Sequence, residues 1–583
     1  MDSESPVSSP RTGKPVVPTQ KLSLTLSSSA VLGAAFAIQL IGFFGNLFLY
    51  RNIGLTDTGR LIIGTAQFFL LIGSSINGVG DLRLGTAYTY FIARGKAPTD
   101  NTLVYLVIRM MMVAAAGVMI FVIAPLPIEG HALATGNVQI TSLGLFVALP
   151  IAWSFSTVYN QLYIGEGNSL RAQYPSLIEA VARLPVLYLV AYYAPASFVL
   201  EGITLAYVAG ALSSTLFTIP KVLANFGRFR WIEGIRLYRF AWPLMASLML
   251  NYLVTNMVPL IVNAGLGAAK LTIFLAANGY RVLVLALPAA VTTPLFPYLA
   301  GLHRQEEYET VRRVTWHALR YSAMMLVPGA VALVTYRYQF LNVFANHTYA
   351  TQGALPLAIL VVGALPLALS QIIQSSINAI GRQRLELYIT SISVAVMVGG
   401  IVALMPPWGL LPPQDGLIAG ATAVLASSVA ALGLNTYFME TLIRVHIHPL
   451  SIVRITASAV GTFAVFSFLN HSNLFPINSG LQLFAAIVIG FAAYFIILAG
   501  TGELTSSDVR RIGASIGLPP RACEALGRLC WNKAGPEVLP VDLTRAPGLR
   551  STEFPETFTG TTELPSFGPI QPPRENNETK SHR

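Results

Sequence analysis

The chain has 583 residues, of which 54% are hydrophobic and only 11% are charged, with a mean hydropathy of +0.61 and a net charge of +11. Soluble proteins carry about 25% charged residues, so this composition excludes an ordinary soluble protein. The apolar residues fall into repeated blocks of about 20, the length that crosses a ~30 Å hydrocarbon layer as a helix. Alternating segments typical of a membrane β-barrel are not apparent, and the sequence therefore predicts an all-α integral membrane protein.

About fourteen transmembrane helices are predicted. A polar leader, residues 1–26, precedes the first span and is interpreted as a disordered cytoplasmic segment rather than a cleaved signal peptide. The tail, residues 501–583, begins with a predicted short helix at 505–517 and then becomes rich in Pro, Thr and Glu, so most of it is expected to be disordered and cytoplasmic. The predicted spans are 27–50, 61–80, 103–125, 142–164, 177–199, 202–220, 242–264, 271–300, 319–340, 354–380, 387–407, 415–440, 453–470 and 480–500.

The distribution of basic residues orients the spans, because cytoplasmic loops of membrane proteins carry an excess of Lys and Arg. With the N-terminus inside, the inner segments carry 20 Lys and Arg residues, and the outer loops carry only Arg51, Arg60, Lys270 and Arg337. This bias predicts that both termini are cytoplasmic and that the protein spans the cell (plasma) membrane. The most basic connection before the tail, residues 221–240, follows six spans and joins two halves of the chain.

The two halves show a weak internal repeat. The stretch "NIGLTDTGRLIIGTAQ" from Asn52 aligns with "NAGLGAAKLTIFLAAN" from Asn263 at an offset of 211 residues, and Gly167 and Gly381 begin a second pair of similar stretches. Both pairs follow equivalent spans, and an even number of spans in each half gives both halves the same orientation. The predicted domains are an N-terminal six-helix lobe (27–223), a cytoplasmic basic linker (224–241), a C-terminal six-helix lobe (242–440) and two further transmembrane helices (453–500).

Four stretches carry a family resemblance. They are "YRNIGLTDTGRLIIG" after span 1, "ANGYRVLVLALPAAVTTPLFPYLAGL" in span 8, "INAIGRQRLELYITSI" after span 10 and "GELTSSDVRRI" after span 14. In order and spacing they resemble the polysaccharide transporter family of oligosaccharide flippases, in the superfamily that also holds multidrug exporters and the lipid II flippase. The resemblance covers about residues 25–515. It implies two MATE-like lobes forming a V around a central cavity, alternating access, and a polyprenyl-(pyro)phosphate-linked glycan as cargo.

Two positions depart from the family pattern. Family members often carry Asp early in span 7, where this chain has Asn256, and Gly-x-Tyr at the start of span 8, where this chain has Thr272, Ile273 and Phe274. The first departure argues against cation coupling through that carboxylate.

Arg281 is the leading candidate site residue. It lies 11 residues after Lys270, hence ~16 Å along a helix and near the middle of a ~30 Å apolar core. An intramembrane arginine costs ~2.5–3.5 kcal/mol on insertion scales and usually faces a cavity or a partner. No Asp or Glu lies one turn away, so the predicted partner is either an anionic ligand, gripped through phosphate oxygens, or the carbonyl groups of a neighbouring helix.

Other polar residues are further candidates for contacting the cargo. Arg51 and Arg60 bracket the first outer turn with Asp57 between them, which predicts either a cationic rim that receives the head group or an interfacial ion pair. Of the two, only Arg51 matches the arginine of the family's turn. Polar amides in the spans either bind sugar hydroxyls or hold helices together. These amides are Asn46, Gln67 and Asn278, together with Asn77 and Asn256.

Arg109 and Arg183 lie only six or seven residues from the inner ends of their spans. Long basic side chains at such positions snorkel to the interface, which is the position predicted for both. Glu179 precedes Arg183 by one helical turn and also predicts an internal ion pair.

The leading hypothesis is a transporter, not an enzyme, that flips lipid-linked oligosaccharides outward for cell-surface polysaccharide assembly. A multidrug or small-solute antiporter of the same fold is the alternative. A membrane glycosyltransferase or polymerase ranks last, because the longest outer loops have only about 15–17 residues. No nucleotide-binding loop or metal-ligand pattern occurs, so no cofactor is predicted. The expected partners are the lipid-linked glycan, membrane lipids, and glycosyltransferases and the polymerase of the same pathway, with no nucleic acid.

Overall fold

The computed structural model describes residues 24–93, 97–123, 137–166, 168–304, 307–405, 409–412, 415–445, 449–471, 479–506 and 508–509. These residues form seventeen α-helices and one short 3-10 turn, and they include no β-strand. The predicted all-α class is therefore confirmed. The leader up to residue 23 and the tail beyond residue 509, with most of the predicted helix 505–517, lie outside the described residues.

The helices follow the predicted spans closely. In chain order they are α1 (Leu24–Asn52), α2 (Asp57–Asp81), α3 (Leu84–Ala93), α4 (Pro98–Ile123), α5 (Asn137–Gly165), α6 (Ser169–Ala172), α7 (Tyr174–Tyr193), α8 (Val199–Ala224), α9 (Trp231–Leu266), α10 (Ala268–Arg304), α11 (Tyr308–Thr335), α12 (Arg337–Phe344), α13 (His347–Ala379), α14 (Gln383–Leu404), α15 (Gly416–Leu442), α16 (Pro449–His471) and α17 (Gly480–Gly500).

Within the described ranges, thirteen segments are long and apolar enough to cross a membrane, so the protein is a multi-pass membrane protein. The predicted seventh span, 242–264, lies in α9, where the apolar helix is assigned only over Asn256–Leu266. Helix α9 as a whole has 36 residues, about 54 Å at 1.5 Å per residue, so its length is sufficient for a further span. The predicted number of fourteen is thus approximately right.

The predicted boundary of span 319–340 is wrong, whereas the predicted end of span 61–80 agrees with the structure; the backbone breaks at both places. The predicted span 319–340 is divided at Tyr336, where α11 ends and the separate helix α12 begins. Helix α2 ends at Asp81 because Leu82 and Arg83 adopt left-handed conformations, with φ of 41° and 60°, before α3 starts. Non-glycine residues rarely adopt positive φ, and hydropathy does not report such a break.

Each half of the chain is built around one central helix. Helix α5 packs against α2, α3, α4 and α8 in the first half, and α13 packs against α10, α11, α12 and α15 in the second. These central helices correspond to the fourth and tenth predicted spans. The internal repeat in the sequence makes these two spans equivalent to each other. The arrangement fits two equivalent lobes, and superposition of 27–223 on 242–440 remains a prediction.

The two halves contact each other through α1 and α2 on one side and α10 and α13 on the other. The Thr272 hydroxyl donates to the Arg60 carbonyl at 2.8 Å, and the Asn346 amide donates to the Tyr50 carbonyl at 3.0 Å. A Cβ atom at Gly64 would lie 1.9 Å from the carbonyl oxygen of Ala268, so only glycine allows this approach. All these contacts lie at the ends of the helices that are predicted to face outward.

Helix α9 starts at Trp231, inside the predicted basic linker, and contacts both halves. Leu237 and Ala241 are buried in the same core cluster as Tyr105 of the first half. Farther along the helix, Val258 packs against the position of Gly420 in the second half. The junction between the two halves is therefore a packed helix over much of its length.

Candidate functional site

Arg281 lies in the middle of α10, 13 residues after the helix begins at Ala268, which is about 20 Å along its axis. The preceding residue Tyr280 is buried, and its ring packs edge-on against Phe43 of α1, with 4.7 Å between ring centroids, and against Phe340 of α12. Aromatic pairs of this geometry stabilise a helix position beyond the area they bury. Tyr280 thus fixes the rotation of α10 and, with it, the direction in which Arg281 points.

The Arg281 guanidinium lacks a counter-charge within the described residues. Its Nη1 donates to the Oδ1 atom of Asn278 on the same helix at 3.1 Å, and its Nε is buried without a hydrogen-bond partner. None of the ion pairs in this part of the chain includes Arg281. A buried charge without a partner is costly, so the side chain retains a strong tendency to bind an anion.

Arg281 lines a polar cavity of about 50 Å³ inside the second half of the chain, between α10, α13, α14 and α15. This volume exceeds the ~10–15 Å³ that one water molecule requires. Seven of the other lining side chains are polar and none is acidic. The lining residues are Arg281, Leu367, Ser370, Gln374, Ile389, Thr390, Ser393, Met397, Val424, Ser427, Ser428, Ala431 and Asn435.

Asn435 is the most informative of the polar groups that the sequence analysis missed. Its amide nitrogen donates to the Ser370 hydroxyl at 2.6 Å and to the Ala431 carbonyl at 2.9 Å, whereas its Oδ1 is buried without a partner. Ser427, Ala431 and Asn435 are four residues apart and therefore share one face of α15. That spacing was a signal in the sequence, but small polar residues in apolar helices usually bond to their own backbone, as Ser428 does to Val424.

The predicted outer-turn arginines lie in different environments. Arg51 is exposed in the last turn of α1. Arg60 is only 8% exposed; it donates to the carbonyls of Gly54 at 3.1 Å and Leu55 at 3.3 Å, and pairs with Asp57. In this conformation Arg60 therefore holds the α1–α2 turn in shape, while Arg51 is exposed at the surface.

The candidate amides are also dispersed. Asn278 is the one that contacts Arg281. Gln67 is buried and donates to the Tyr50 hydroxyl at 2.5 Å beside the contact between the halves. Asn46 is half-buried on α1, one turn after Phe43, which packs on α10. The structure thus groups Arg281 with Asn278, and places Gln67 and Asn46 on helices that pack against α10.

Arg109 is buried rather than snorkelling, which corrects the sequence-based expectation. Only 1% of the residue is exposed, and the guanidinium bonds to the carboxylate of Asp81 at 2.6 Å, to Oδ1 of Asn77 at 2.5 Å and to the Thr157 hydroxyl at 3.2 Å. Tyr105 also donates to Asp81, at 2.5 Å. This network ties α2 to α4 and α5, and it assigns Asn77 a packing role.

Arg183 forms the ion pair predicted with Glu179, at 3.8 Å, with both side chains less than 20% exposed. Its guanidinium also lies over the ring of Tyr207, 4.6 Å from the centroid, an arrangement that stabilises a partly desolvated cation. Arg183 is therefore satisfied within the first half, in contrast to Arg281.

Glu503, Thr505 and Asp508 of the "GELTSSDVRRI" motif form a buried polar cluster with α11 and α16. Arg320 pairs with Glu503 at 2.7 Å and with Asp508 at 3.3 Å, and Tyr321 donates to Asp508 at 2.6 Å. Burial raises the pKa of Asp508, but hydrogen bonds from Tyr321 and Thr505 and the charge of Arg320 outweigh it, so the pKa lies below its ordinary value. The segment after α17 is thereby docked onto the second half of the chain.

Arg281, its neighbour Asn278 and the adjoining cavity make up the candidate site. Within the described ranges no group of three His, Cys, Asp or Glu side chains is placed to hold a metal ion. The unpaired charge of Arg281, the hydroxyl-lined cavity and the close contact between the halves are instead features of a binding site on a two-part scaffold.

Comparison with known proteins supports this view of the scaffold. Residues 107–352 match the family model described as "Polysaccharide biosynthesis protein". No curated protein matches the chain in sequence. The fold is similar to that of the lipid II flippase MurJ in an inward closed conformation, with a TM-score of 0.64 and 12% identity over 80% of this chain and 97% of that chain.

Multidrug transporter structures are similar as well. An inward-facing MATE family transporter of the MOP superfamily matches with a TM-score of 0.54 and 17% identity over 72% of this chain and 98% of that chain. A MOP superfamily transporter from Pyrococcus furiosus, described by the reverse polarity of its binding pocket, matches with a TM-score of 0.52 and 16% identity over 72% and 97% of the two chains. The predicted resemblance to a polysaccharide biosynthesis family and the predicted MATE-like fold are confirmed.

Proposed function

We propose that the protein is a membrane transporter, rather than an enzyme, that moves polyprenyl-(pyro)phosphate-linked oligosaccharides from the cytoplasmic to the outer leaflet for cell-surface polysaccharide assembly. Three findings support the proposal: the transporter fold, a family model that names polysaccharide biosynthesis, and the chemistry around Arg281. The expected partners are the lipid-linked glycan, membrane lipids, and the glycosyltransferases and polymerase of the pathway that makes and uses it.

The observation that carries the proposal is the uncompensated guanidinium of Arg281. An anion does not cross hydrocarbon unpaired, because its burial costs many kcal/mol. A guanidinium halfway along the path offsets that cost through charge-assisted hydrogen bonds to phosphate oxygens and needs no covalent step. Arg51, exposed at the outer turn, would then attract the head group as the cargo leaves.

The contacts between the halves indicate how alternating access would work. The helix ends predicted to face outward are joined by the Thr272–Arg60 and Asn346–Tyr50 hydrogen bonds. In this conformation cargo would enter from the cytoplasmic side, and transport would require these bonds to separate while the two lobes rock against each other. Gly64 and Ala268 mark the closest point of the contact.

The membrane potential would favour export. Because the cytoplasm is negative, moving one negative charge outward releases about 2.3 kcal/mol per 100 mV. Two phosphate charges would release roughly twice that, provided that the returning empty carrier does not move its own positive charge back through the field.

A multidrug or small-solute antiporter is the second candidate, and the similarity to MATE structures favours it. The positive charge of Arg281 argues against an antiporter of cationic compounds, because the site would repel them. A deletion strain separates the two functions. The proposed function predicts that lipid-linked glycans accumulate on the inner leaflet of that strain while its resistance to cationic drugs stays unchanged; lost resistance with normal surface glycan would support the antiporter.

The proposed orientation places both termini in the cytoplasm of a cell whose plasma membrane the chain spans. Single-cysteine labelling tests it after Cys523 and Cys530 are replaced by Ser. A thiol at Gly136 would be a natural outer site, but that residue lies outside the described ranges, and Leu410, which is 87% exposed, replaces it. On the inner side, a Cβ at Gly227 would lie 2.2 Å from the Thr99 carbonyl oxygen, so the exposed neighbour Arg228 is the better position.

Labelling from outside should reach Leu410→Cys, and labelling of Arg228→Cys should require permeabilised cells. The reverse pattern would contradict the proposed orientation.

A further inference from the structure

Three hydrogen-bond donors in the lining of the cavity beside Arg281 lack acceptors, whereas the hydroxyls of Ser393, Ser427 and Ser428 donate to backbone carbonyls. The Arg281 Nε–H is buried and unpaired, and the Thr390 hydroxyl makes no hydrogen bond within the described residues. Ser370 accepts from Asn435, which leaves its own hydroxyl proton available. Arginine contributes a full positive charge in addition, so the donors and the charge favour the same kind of ligand.

The cavity also excludes the alternative of a bound cation. Its lining includes no Asp or Glu, and the guanidinium forms part of its wall. Two positive charges confined to so small a low-dielectric space repel each other strongly. The buried acceptor that lacks a partner, Oδ1 of Asn435, is satisfied as well by a water molecule, for which the cavity of about 50 Å³ has room.

We propose that this cavity binds a small monovalent anion, with chloride as the obvious candidate, held by Arg281, Thr390 and Ser370. A single negative charge matches the single guanidinium, and the apolar lining residues Leu367 and Met397 favour a site whose net charge is zero. The occupied site is electrically neutral and therefore compatible with its apolar surroundings.

The anion gives Arg281 a counter-charge whenever cargo is absent. An empty carrier with a neutralised arginine returns without moving a positive charge through the membrane potential, which is the condition for the potential to favour export. Cargo phosphate would displace the anion from the guanidinium. The binding site itself does not depend on the nature of the cargo, and only this displacement rests on the proposed function.

Thermal unfolding of the purified full-length chain in detergent tests the binding. Sodium gluconate is replaced stepwise by sodium chloride or sodium bromide at constant ionic strength. We expect both halides to raise the unfolding temperature in a saturable manner. Inorganic phosphate is titrated in parallel at the same ionic strength, and exchange of sodium for N-methylglucamine at constant chloride should leave the unfolding temperature unchanged.

Three variants assign the effect to the cavity. Arg281→Gln should abolish the halide response, and Thr390→Val, which removes one donor and preserves the shape, should raise the half-saturating chloride concentration about tenfold. Ser391→Ala is the matched control, because Ser391 is the next residue on α14, is exposed and bonds to its own helix. If a variant does not fold, the NMR resonance of chloride in the wild-type sample gives the same information. Bound chloride should broaden this resonance, and added bromide should sharpen it.

Equal unfolding temperatures of the wild type in chloride and gluconate would overturn the proposal and leave a water-filled cavity. Stabilisation by phosphate but not by chloride would overturn it in favour of a site for the cargo head group, and a response to sodium would overturn it in favour of a cation site. None of these outcomes depends on transport, so failure here is distinct from failure of the deletion-strain test.

Discussion

Arg109 and Arg281 each place a guanidinium within an apolar helix, and the two halves of the protein treat that charge in opposite ways. Arg109 is paired at 2.6 Å with Asp81 and bonded to Asn77 and Thr157, so its charge is compensated by the first half itself. Among the residues that the structure describes, Arg281 bonds only to Asn278 of its own helix, and it borders a cavity. The difference shows that an intramembrane arginine is a site candidate when its counter-charge is missing, whatever its depth.

The largest expected effect comes from removing the uncompensated charge. Arg281→Ala and Arg281→Gln should lose nearly all export at normal protein levels, because the cargo phosphates then have no counter-charge along their path. Arg281→Lys should retain part of the activity as a point charge without the bidentate geometry. The readout is surface glycan in a strain that lacks the native protein, normalised to membrane abundance. Wild-type export by Arg281→Ala would reduce Arg281 to a packing residue like Arg109.

The next effect concerns the contact between the halves. Gly64→Ala introduces a Cβ that would lie 1.9 Å from the Ala268 carbonyl oxygen, so the outer ends should no longer close fully. We expect export to fall several-fold. The labelling of Leu410→Cys from outside and of Arg228→Cys from inside should change together with export. Gly433→Ala is the matched control, because no atom lies within 4 Å of its added Cβ. Equal export by the two variants would show that outer closure does not limit transport.

A smaller effect on export is expected from the compensated arginine. Arg109→Ala removes the buried partner of Asp81, whose side chain is 21% exposed, and breaking a buried pair typically costs up to about 3–5 kcal/mol of stability. Membrane abundance should fall, while export per molecule should stay near the wild-type level. The double variant Arg109→Leu with Asp81→Asn removes both charges and should recover much of the abundance. If Arg109→Ala instead lost export at full abundance, the first half would also contain a cargo site.

The smallest effect is expected at the docked segment after α17. The pKa of Asp508 is lowered in the folded protein, so the stabilisation from its charged form is complete above the ordinary carboxylate pKa and is lost only as the pH falls through the lower folded value. Docking measured by hydrogen exchange at Thr505 and Asp508 should therefore persist at mildly acidic pH. Asp508→Asn should lower protection at neutral pH with little change in export. Release of the segment already near pH 6 would contradict this account.

The spans were predictable because the bilayer imposes a length of about 20 apolar residues on each helix. The breaks at Leu82, Arg83 and Tyr336 were not, since they depend on local backbone conformation, which hydropathy does not report. Hydropathy therefore located the long helices, but it missed the short helix α3 and merged the short helix α12 with α11.

The site was predictable only in part. Arg281 was identifiable because a lone charge in an apolar helix is costly and the absence of a nearby carboxylate is visible in the chain. The pairing of Arg109 with Asp81, 28 residues away, was not visible, because partners on other helices are set by packing. Asn435 and Thr390 were missed for the same reason: the cavity that they share with Arg281 is made by four helices that are distant in sequence.

The central claim is that the uncompensated charge of Arg281 binds the phosphate groups of the cargo lipid. The most direct measurement is the amount of polyprenyl pyrophosphate that remains bound to the purified full-length protein, compared between the wild type, Arg281→Ala and Arg109→Ala at equal amounts of folded protein. The account predicts that Arg281→Ala weakens binding by about tenfold or more, as loss of a charge-assisted hydrogen bond does, and that Arg109→Ala binds like the wild type. Unchanged binding by Arg281→Ala would contradict it.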